Sequence, residues 1–82
     1  MKTVVLYSRP GCHLCDEARA AILQLRARGW RFELQEIDIE SDDGLLARYM
    51  ERIPVVTVDG ALVSELILDR DALLARLDTV PA

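Results

Sequence analysis

The stretch Val55-Val56-Thr57-Val58-Asp59-Gly60-Ala61-Leu62-Val63 constrains the fold more than any other in the chain. Two apolar runs rich in valine, Val55 to Val58 and Ala61 to Leu66, flank an Asp-Gly pair. Asp-Gly tolerates positive φ at both corners of a two-residue hairpin turn, so the runs read as adjacent antiparallel strands. A lone hairpin is marginal in water, and its apolar face needs further strands or a helix.

The N-terminal half supplies them. Thr3 to Tyr7 is a β-branched and aromatic run of the kind found in buried strands, and Ser8-Arg9-Pro10-Gly11 breaks it. From Cys12 onward Leu14, Ala18, Ala21, Ile22 and Leu25 recur at helical spacing. Asp16 and Glu17 sit in the opening turn, and Gly29 follows Arg26 and Arg28 as a stop. Phe32, Leu34, Glu36 and Asp38 alternate against Glu33, Gln35, Ile37 and Ile39; neither set is wholly apolar, but the following acidic cluster and the β-branched content favour a strand. Glu40-Ser41-Asp42-Asp43 offers capping oxygens to a short helix through Leu45, Leu46, Tyr49 and Met50, which Pro54 is expected to terminate. Asp69 is placed to cap a last helix carrying Leu73, Leu74 and Leu77.

The order βαβαββα predicts an α/β fold. A βαβ unit gives a parallel pair with a right-handed crossover and the hairpin an antiparallel one, hence a four-stranded mixed sheet flanked by helices. At 82 residues the chain suits a single domain over 1–82, and 51% hydrophobic residues supply a core without disulfide or metal support. The net charge of −4 disfavours non-specific nucleic-acid or anionic-membrane binding. No apolar run approaches 18 residues and no signal-peptide succession opens the chain, so a cytoplasmic protein without membrane contact is expected.

Both cysteines lie in Cys12-His13-Leu14-Cys15, with the only histidine between them. Three uses are open to such a pair: a redox couple, part of a metal site, or a structural staple. In a reducing cytosol a lone pair is seldom a permanent staple, and the loop it closes is too short to restrict the unfolded chain much. Structural zinc needs four ligands, so a mononuclear site in one chain is not expected; two chains sharing zinc or an iron–sulfur cluster through four thiolates form the alternative to redox use. Cys12 falls where a strand ends and a helix begins, facing unpaired N–H groups and the positive end of the helix dipole. Cys-x-x-Cys thiols so placed ionise at roughly pH 3.5–7.5 against about 8.5 for free cysteine. Cys15, one turn deeper on the same helical face, is then the resolving thiol and Cys12 the nucleophile.

Neighbouring residues carry two readings each. His13 either supports the thiolate as imidazolium or is an exposed helix-start residue. Arg9 either faces the thiolate or a substrate carboxylate, or is a solvated loop cation. Pro54 either stops the preceding helix or forms a cis Ile53–Pro54 bond that leaves the Ile53 backbone N–H and C=O free to pair with an extended substrate.

On these residues the chain resembles the thioredoxin fold and, more narrowly, the glutaredoxins. "TVVLYSRPGCHLC" is similar to the family's first strand and active-site loop, "IPVVTVDG" to its proline and hairpin, and "RDALLARL" to its final helix. Closest in pattern are the small bacterial glutaredoxin-like proteins with a Cys-x-Leu-Cys motif. The resemblance implies thiol–disulfide oxidoreduction on protein disulfides or glutathione mixed disulfides, with Cys12 attacking, Cys15 resolving, Arg9 near bound glutathione and Ile53-Pro54 as substrate platform. It implies no bound cofactor, glutathione or thioredoxin reductase as source of electrons, and a monomer. Two departures stand out: His13-Leu14 replaces the usual Pro-Tyr, and Ser64-Glu65 replaces a Gly-Gly pair, adding side chains and a negative charge where glutathione's γ-glutamyl end would approach backbone.

Overall fold

A computed structural model describes residues 1–78. The expected unit over 1–82 includes residues 79–82, which lie outside the described residues. Eight segments follow one another: β1 (Thr3–Ser8), α1 (His13–Ala27), β2 (Glu33–Asp38), a 3₁₀ turn (Ile39–Ser41), α2 (Asp43–Tyr49), β3 (Val55–Val58), β4 (Ala61–Glu65) and α3 (Arg70–Asp78). The strands form a mixed sheet in the order β2-β1-β3-β4. β1 pairs with β2 in parallel and with β3 antiparallel, and β3 pairs antiparallel with β4.

Local chemistry accounts for most boundaries. Asp59 and Gly60 hold φ of 50° and 86°, the pair of left-handed corners that a tight hairpin needs. Asp42 Oδ1 accepts the Leu45 N–H at 3.0 Å and Asp69 Oδ1 the Ala72 N–H at 3.0 Å, so each carboxylate satisfies a donor that its helix leaves open. Gly29, at φ 104°, turns the chain out of α1. A register shift between Val56 and Thr57 places Val63 as a bulge, so Ser64 faces Val56 and Glu65 faces Val55. β4 stops one residue earlier than the apolar run suggests, because Leu66 takes φ 69° and leaves the pleat.

Two other expectations change. Helix α2 ends at Tyr49, well before Pro54. Its end is set by the Tyr49 carbonyl, which accepts N–H groups from both Arg52 (2.8 Å) and Ile53 (3.1 Å) and so diverts the chain before proline is reached. The acidic run after β2 forms a 3₁₀ turn of its own, with Asp38 Oδ1 accepting the Glu40 N–H at 2.9 Å, before Asp42 caps α2.

The sheet separates two apolar clusters. One joins Val4, Leu6, Val56 and Val58 to Ala18, Ile22 and Leu25 of α1 and Leu73 of α3. The other joins Val55 and Ile53 to Ile39 and Tyr49, with Tyr7 and Cys12 packed against it, and takes in Cys15 from the first turn of α1. Burying a side chain such as Leu6, Ile22 or Leu73 stabilises the fold by about 1.5–3 kcal/mol. β2 lies at the edge of the sheet, with Leu34 and Ile37 half-buried and Glu33, Gln35, Glu36 and Asp38 exposed. An edge strand with apolar side chains at an odd spacing shows neither pure alternation nor an apolar run.

Candidate functional site

The site is assembled at the end of the sheet where β1 stops. Cys12 is the residue that caps α1, extended at φ −90° and ψ 107°, and its Sγ accepts the Cys15 N–H at 3.2 Å. Sulfur here occupies the place where a serine or aspartate oxygen usually satisfies the helix N-terminus. A thiolate in that place gains both the N–H bond and the helix dipole, whereas a neutral thiol gains little from either. Cys12 and Cys15 are joined as a disulfide with their Cα atoms 5.2 Å apart. Cys15 is fully buried and Cys12 half-buried, so an incoming group meets Cys12 first.

Pro54 is preceded by a cis peptide bond and is fully buried, and Ile53 and Val55 on either side share the apolar cluster that holds Cys15. Pairing of Tyr7 with Val55 brings the start of β3 beside the end of β1. One expectation for this segment is corrected. The Ile53 N–H is not free, since it donates to the Tyr49 carbonyl at 3.1 Å. The Pro54 carbonyl accepts the Leu66 N–H at 3.0 Å, and the same N–H reaches the Arg52 carbonyl at 2.9 Å.

Arg9 and His13 flank the cysteines in sequence but are engaged elsewhere. Arg9 Nη2 lies 2.8 Å from Glu40 Oε2, tying the loop before Cys12 to the 3₁₀ turn. His13 has 85% of its side chain exposed and sets Nε2 3.2 Å from Glu17 Oε1, one turn along the helix surface. In this structure both side chains are paired with a carboxylate rather than with the sulfur.

Three arrangements have no local signal in the sequence. On the face of the sheet beside α2, the rings of Tyr7 and Tyr49 stack with centroids 4.7 Å apart. The guanidinium groups of Arg48 and Arg52 lie 5.4 and 5.6 Å from the Tyr49 ring centre. Arg52 Nε also meets Glu65 Oε2 at 2.6 Å, linking the segment before Pro54 to the end of β4. On the other face, Ser8 Oγ donates to Glu36 Oε2 at 2.9 Å, and Arg19 bridges Glu36 (Nε to Oε1, 2.6 Å) and Asp16 (2.9 Å), fastening the first turns of α1 to β2. The Arg19 guanidinium, aided by the Ser8 hydroxyl, holds the Glu36 carboxyl below the usual carboxylate range against the opposing effect of burial. The two carboxylates in turn push the Arg19 pKa upward.

Leu14, between the cysteines in sequence, is 41% exposed and, with Glu17, Ala18 and Ala21, lines a shallow cleft of about 160 Å³ closed on the other side by Ile67, Leu68 and Arg70. Ile67 is 73% exposed. Among the described residues no group of three or more His, Cys, Asp or Glu side chains is arranged to hold a metal ion, and no helix among them is long and apolar enough to cross a membrane.

Comparison with known proteins agrees with this architecture. The chain is 34% identical to protein Ne2328 of Nitrosomonas europaea, whose solution structure superposes with a TM-score of 0.81 over 94% of this chain and 92% of that one. It is 35% identical to protein XcR50 of X. campestris, with a TM-score of 0.71 over 95% and 99% of the two chains. A thioredoxin of Halobacterium salinarum shares the fold at 22% identity and a TM-score of 0.66, over 98% of this chain and 78% of that one. A curated glutaredoxin-like protein of Dictyostelium discoideum is 28% identical over 79 residues, which are 90% of this chain and 73% of that protein. Residues 3–78 match the family described as the glutaredoxin-like domain (DUF836), and with a thioredoxin-type sheet carrying a Cys12–Cys15 pair at the mouth of its first helix, the chain belongs to that family.

Proposed function

We propose that the protein is a thiol–disulfide oxidoreductase acting through Cys12 and Cys15. Supporting this most directly is the placement of one half-buried sulfur at the N-terminus of α1, within bonding distance of a fully buried second sulfur. In the reduced form the Cys12 thiolate attacks one sulfur of a substrate disulfide; that S–S bond breaks, a mixed disulfide forms on Cys12, and the departing thiolate takes a proton from water. Cys15, deprotonated, then attacks the Cys12 sulfur and releases the second substrate thiol, so two electrons pass from the dithiol to the substrate and the protein is left in its disulfide form. The exposed Leu14 and Ile67, facing each other across the cleft beside α1, suit the chain around a protein disulfide, and glutathione or a thioredoxin reductase would return the protein to its dithiol form.

The test is turnover of a protein disulfide such as insulin, with electrons supplied in parallel by glutathione with glutathione reductase and by thioredoxin reductase. Cys12→Ser is expected to abolish reduction, whereas Cys15→Ser is expected to stop at a stable mixed disulfide through Cys12. Failure of the wild type with both electron sources and with dithiothreitol would remove the proposal.

A further inference from the structure

Glu65 does not stand where a solitary negative charge would. In register, Tyr7 faces Val55 and Val55 faces Glu65, so the three form one row across β1, β3 and β4 and their side chains share the face of the sheet beside α2. With strands about 4.8 Å apart, Glu65 lies about 10 Å along that row from Tyr7, the residue that packs with Cys12 against the second cluster. Arg52, two residues before Pro54, reaches the same row from the other side. Its guanidinium is held between the Tyr49 ring at 5.6 Å and Glu65 Oε2 at 2.6 Å, and its carbonyl accepts the Leu66 N–H at 2.9 Å. The pair is thus anchored through ring, carboxylate and backbone, with about 40% of each side chain open to solvent beside the site.

Because Tyr7 and Cys12 pack against the cluster that holds Ile53 and Val55, a substrate chain bonded to Cys12 that runs past Pro54 would meet this row. A carboxylate a few bonds from its sulfur would find Arg52 already neutralised, and an ammonium would find Glu65 already neutralised. We infer that the Arg52–Glu65 pair determines charge selectivity toward small disulfides, withholding Arg52 from substrate carboxylates so that carboxylate-bearing disulfides gain no advantage over neutral ones. This inference rests on the oxidoreductase reading, and the substrate class it addresses is the small disulfide with an ionised group within about 10 Å of its sulfur, the span at which unit charges still interact at low salt.

Three disulfides of similar length separate the possibilities: 4,4′-dithiodibutyrate, its uncharged diamide, and cystamine. Each is reduced by the dithiol form of wild type, Glu65→Gln, Arg52→Gln and the double variant at low ionic strength, with fold verified by far-UV circular dichroism. Each rate is divided by that for the diamide in the same protein, so differences in overall folding or thiol reactivity cancel. Glu65→Gln is expected to raise the dicarboxylate ratio about 2- to 4-fold and to lower the cystamine ratio similarly, a surface-charge effect at this distance. Arg52→Gln is expected to do the reverse, and the double variant to return near wild type. If both single variants keep wild-type ratios within a factor of about 1.5, too small for a unit charge at that range, the inference falls while the oxidoreductase reading stands. If the wild type reduces none of the three, both fall together.

Discussion

Two buried serines on the same sheet are predicted to answer in opposite directions to the loss of a hydroxyl. Ser64, 9% exposed, faces Val56 across the hairpin, and its Oγ has no hydrogen-bond partner among the described residues. A buried hydroxyl without a partner costs about 1–3 kcal/mol in lost hydration. Ser64→Ala removes that oxygen and keeps the Cβ, so the space vacated is one atom and the cavity contribution is small. The variant is expected to be more stable by about 1 kcal/mol, the lower end of that range. Ser8, 4% exposed, donates its hydroxyl to Glu36 Oε2 at 2.9 Å. A bond to a charged acceptor is worth about 1.5–3 kcal/mol, reduced here because Glu36 is partly open to water, so Ser8→Ala is expected to lose about 1 kcal/mol. A chain of 82 residues has an unfolding entropy of about 0.17 kcal/mol/K, so the midpoint should rise by about 6 °C in the first variant and fall by about as much in the second. Thermal unfolding by far-UV circular dichroism, with both cysteines kept in one redox state throughout, measures the pair. A Ser64→Ala midpoint at or below wild type refutes the reasoning, because the hydroxyl would then be contributing a bond rather than lacking one.

Two further predictions follow from charges near the cysteines. Glu36 titrates below its ordinary range because of Arg19, so its contribution is full above the unfolded carboxylate pKa and is lost as pH falls from about 4.3 through the lower folded value. Glu36→Gln should therefore be less stable than wild type by up to about 1 kcal/mol at pH 7, with the gap closing in acid; urea midpoints across pH measure it, and a gap independent of pH would show the carboxylate's charge to be irrelevant. Because Arg9 and His13 are committed to Glu40 and Glu17, Arg9→Gln and His13→Gln should each change the alkylation rate of reduced Cys12 at neutral pH by less than about 2-fold, the scale of a screened surface charge. A 10-fold loss in either would make that side chain, not the helix terminus, the main support of the thiolate.

What was legible in the sequence is what short-range rules govern. Asp59-Gly60 announces its turn because two positive φ angles admit few residue types, and Asp42 and Asp69 announce their helices because a cap needs only a side-chain oxygen at the right offset. The cysteines and Pro54 were visible for the same reason, since a strand end, a helix start and a strand start are local events. β2 was harder to bound, as its apolar residues are divided between the faces of an edge strand. The 3₁₀ turn was hidden because Asp38 ends one element and caps the next. Least legible were the pairings that surround the cysteines. Ser8 with Glu36, Arg52 with Glu65 and Tyr7 with Tyr49 each join residues that are distant in sequence, and no periodicity or motif links such partners before the strand order is known.

Strand order also decides what kind of positive charge the sulfur feels. β3 runs antiparallel to both of its neighbours, so the end of β1, the start of β3 and the end of β4 must meet at one end of the sheet, and Cys12, Pro54 and Glu65 come with them. That convergence sets Arg52 on Glu65, while the parallel pairing of β1 with β2 sets Arg9 on Glu40. Each pair neutralises a side chain that could otherwise have held an anion beside Cys12. The Cys15 N–H and the axis of α1 are a different source, because they are fixed by the backbone and directed at the Cys12 sulfur even with Asp16 in the first turn. On the oxidoreductase reading proposed above, support for a Cys12 thiolate then comes from the backbone, and the ion pairs around it are expected to set which charged groups gain from approaching.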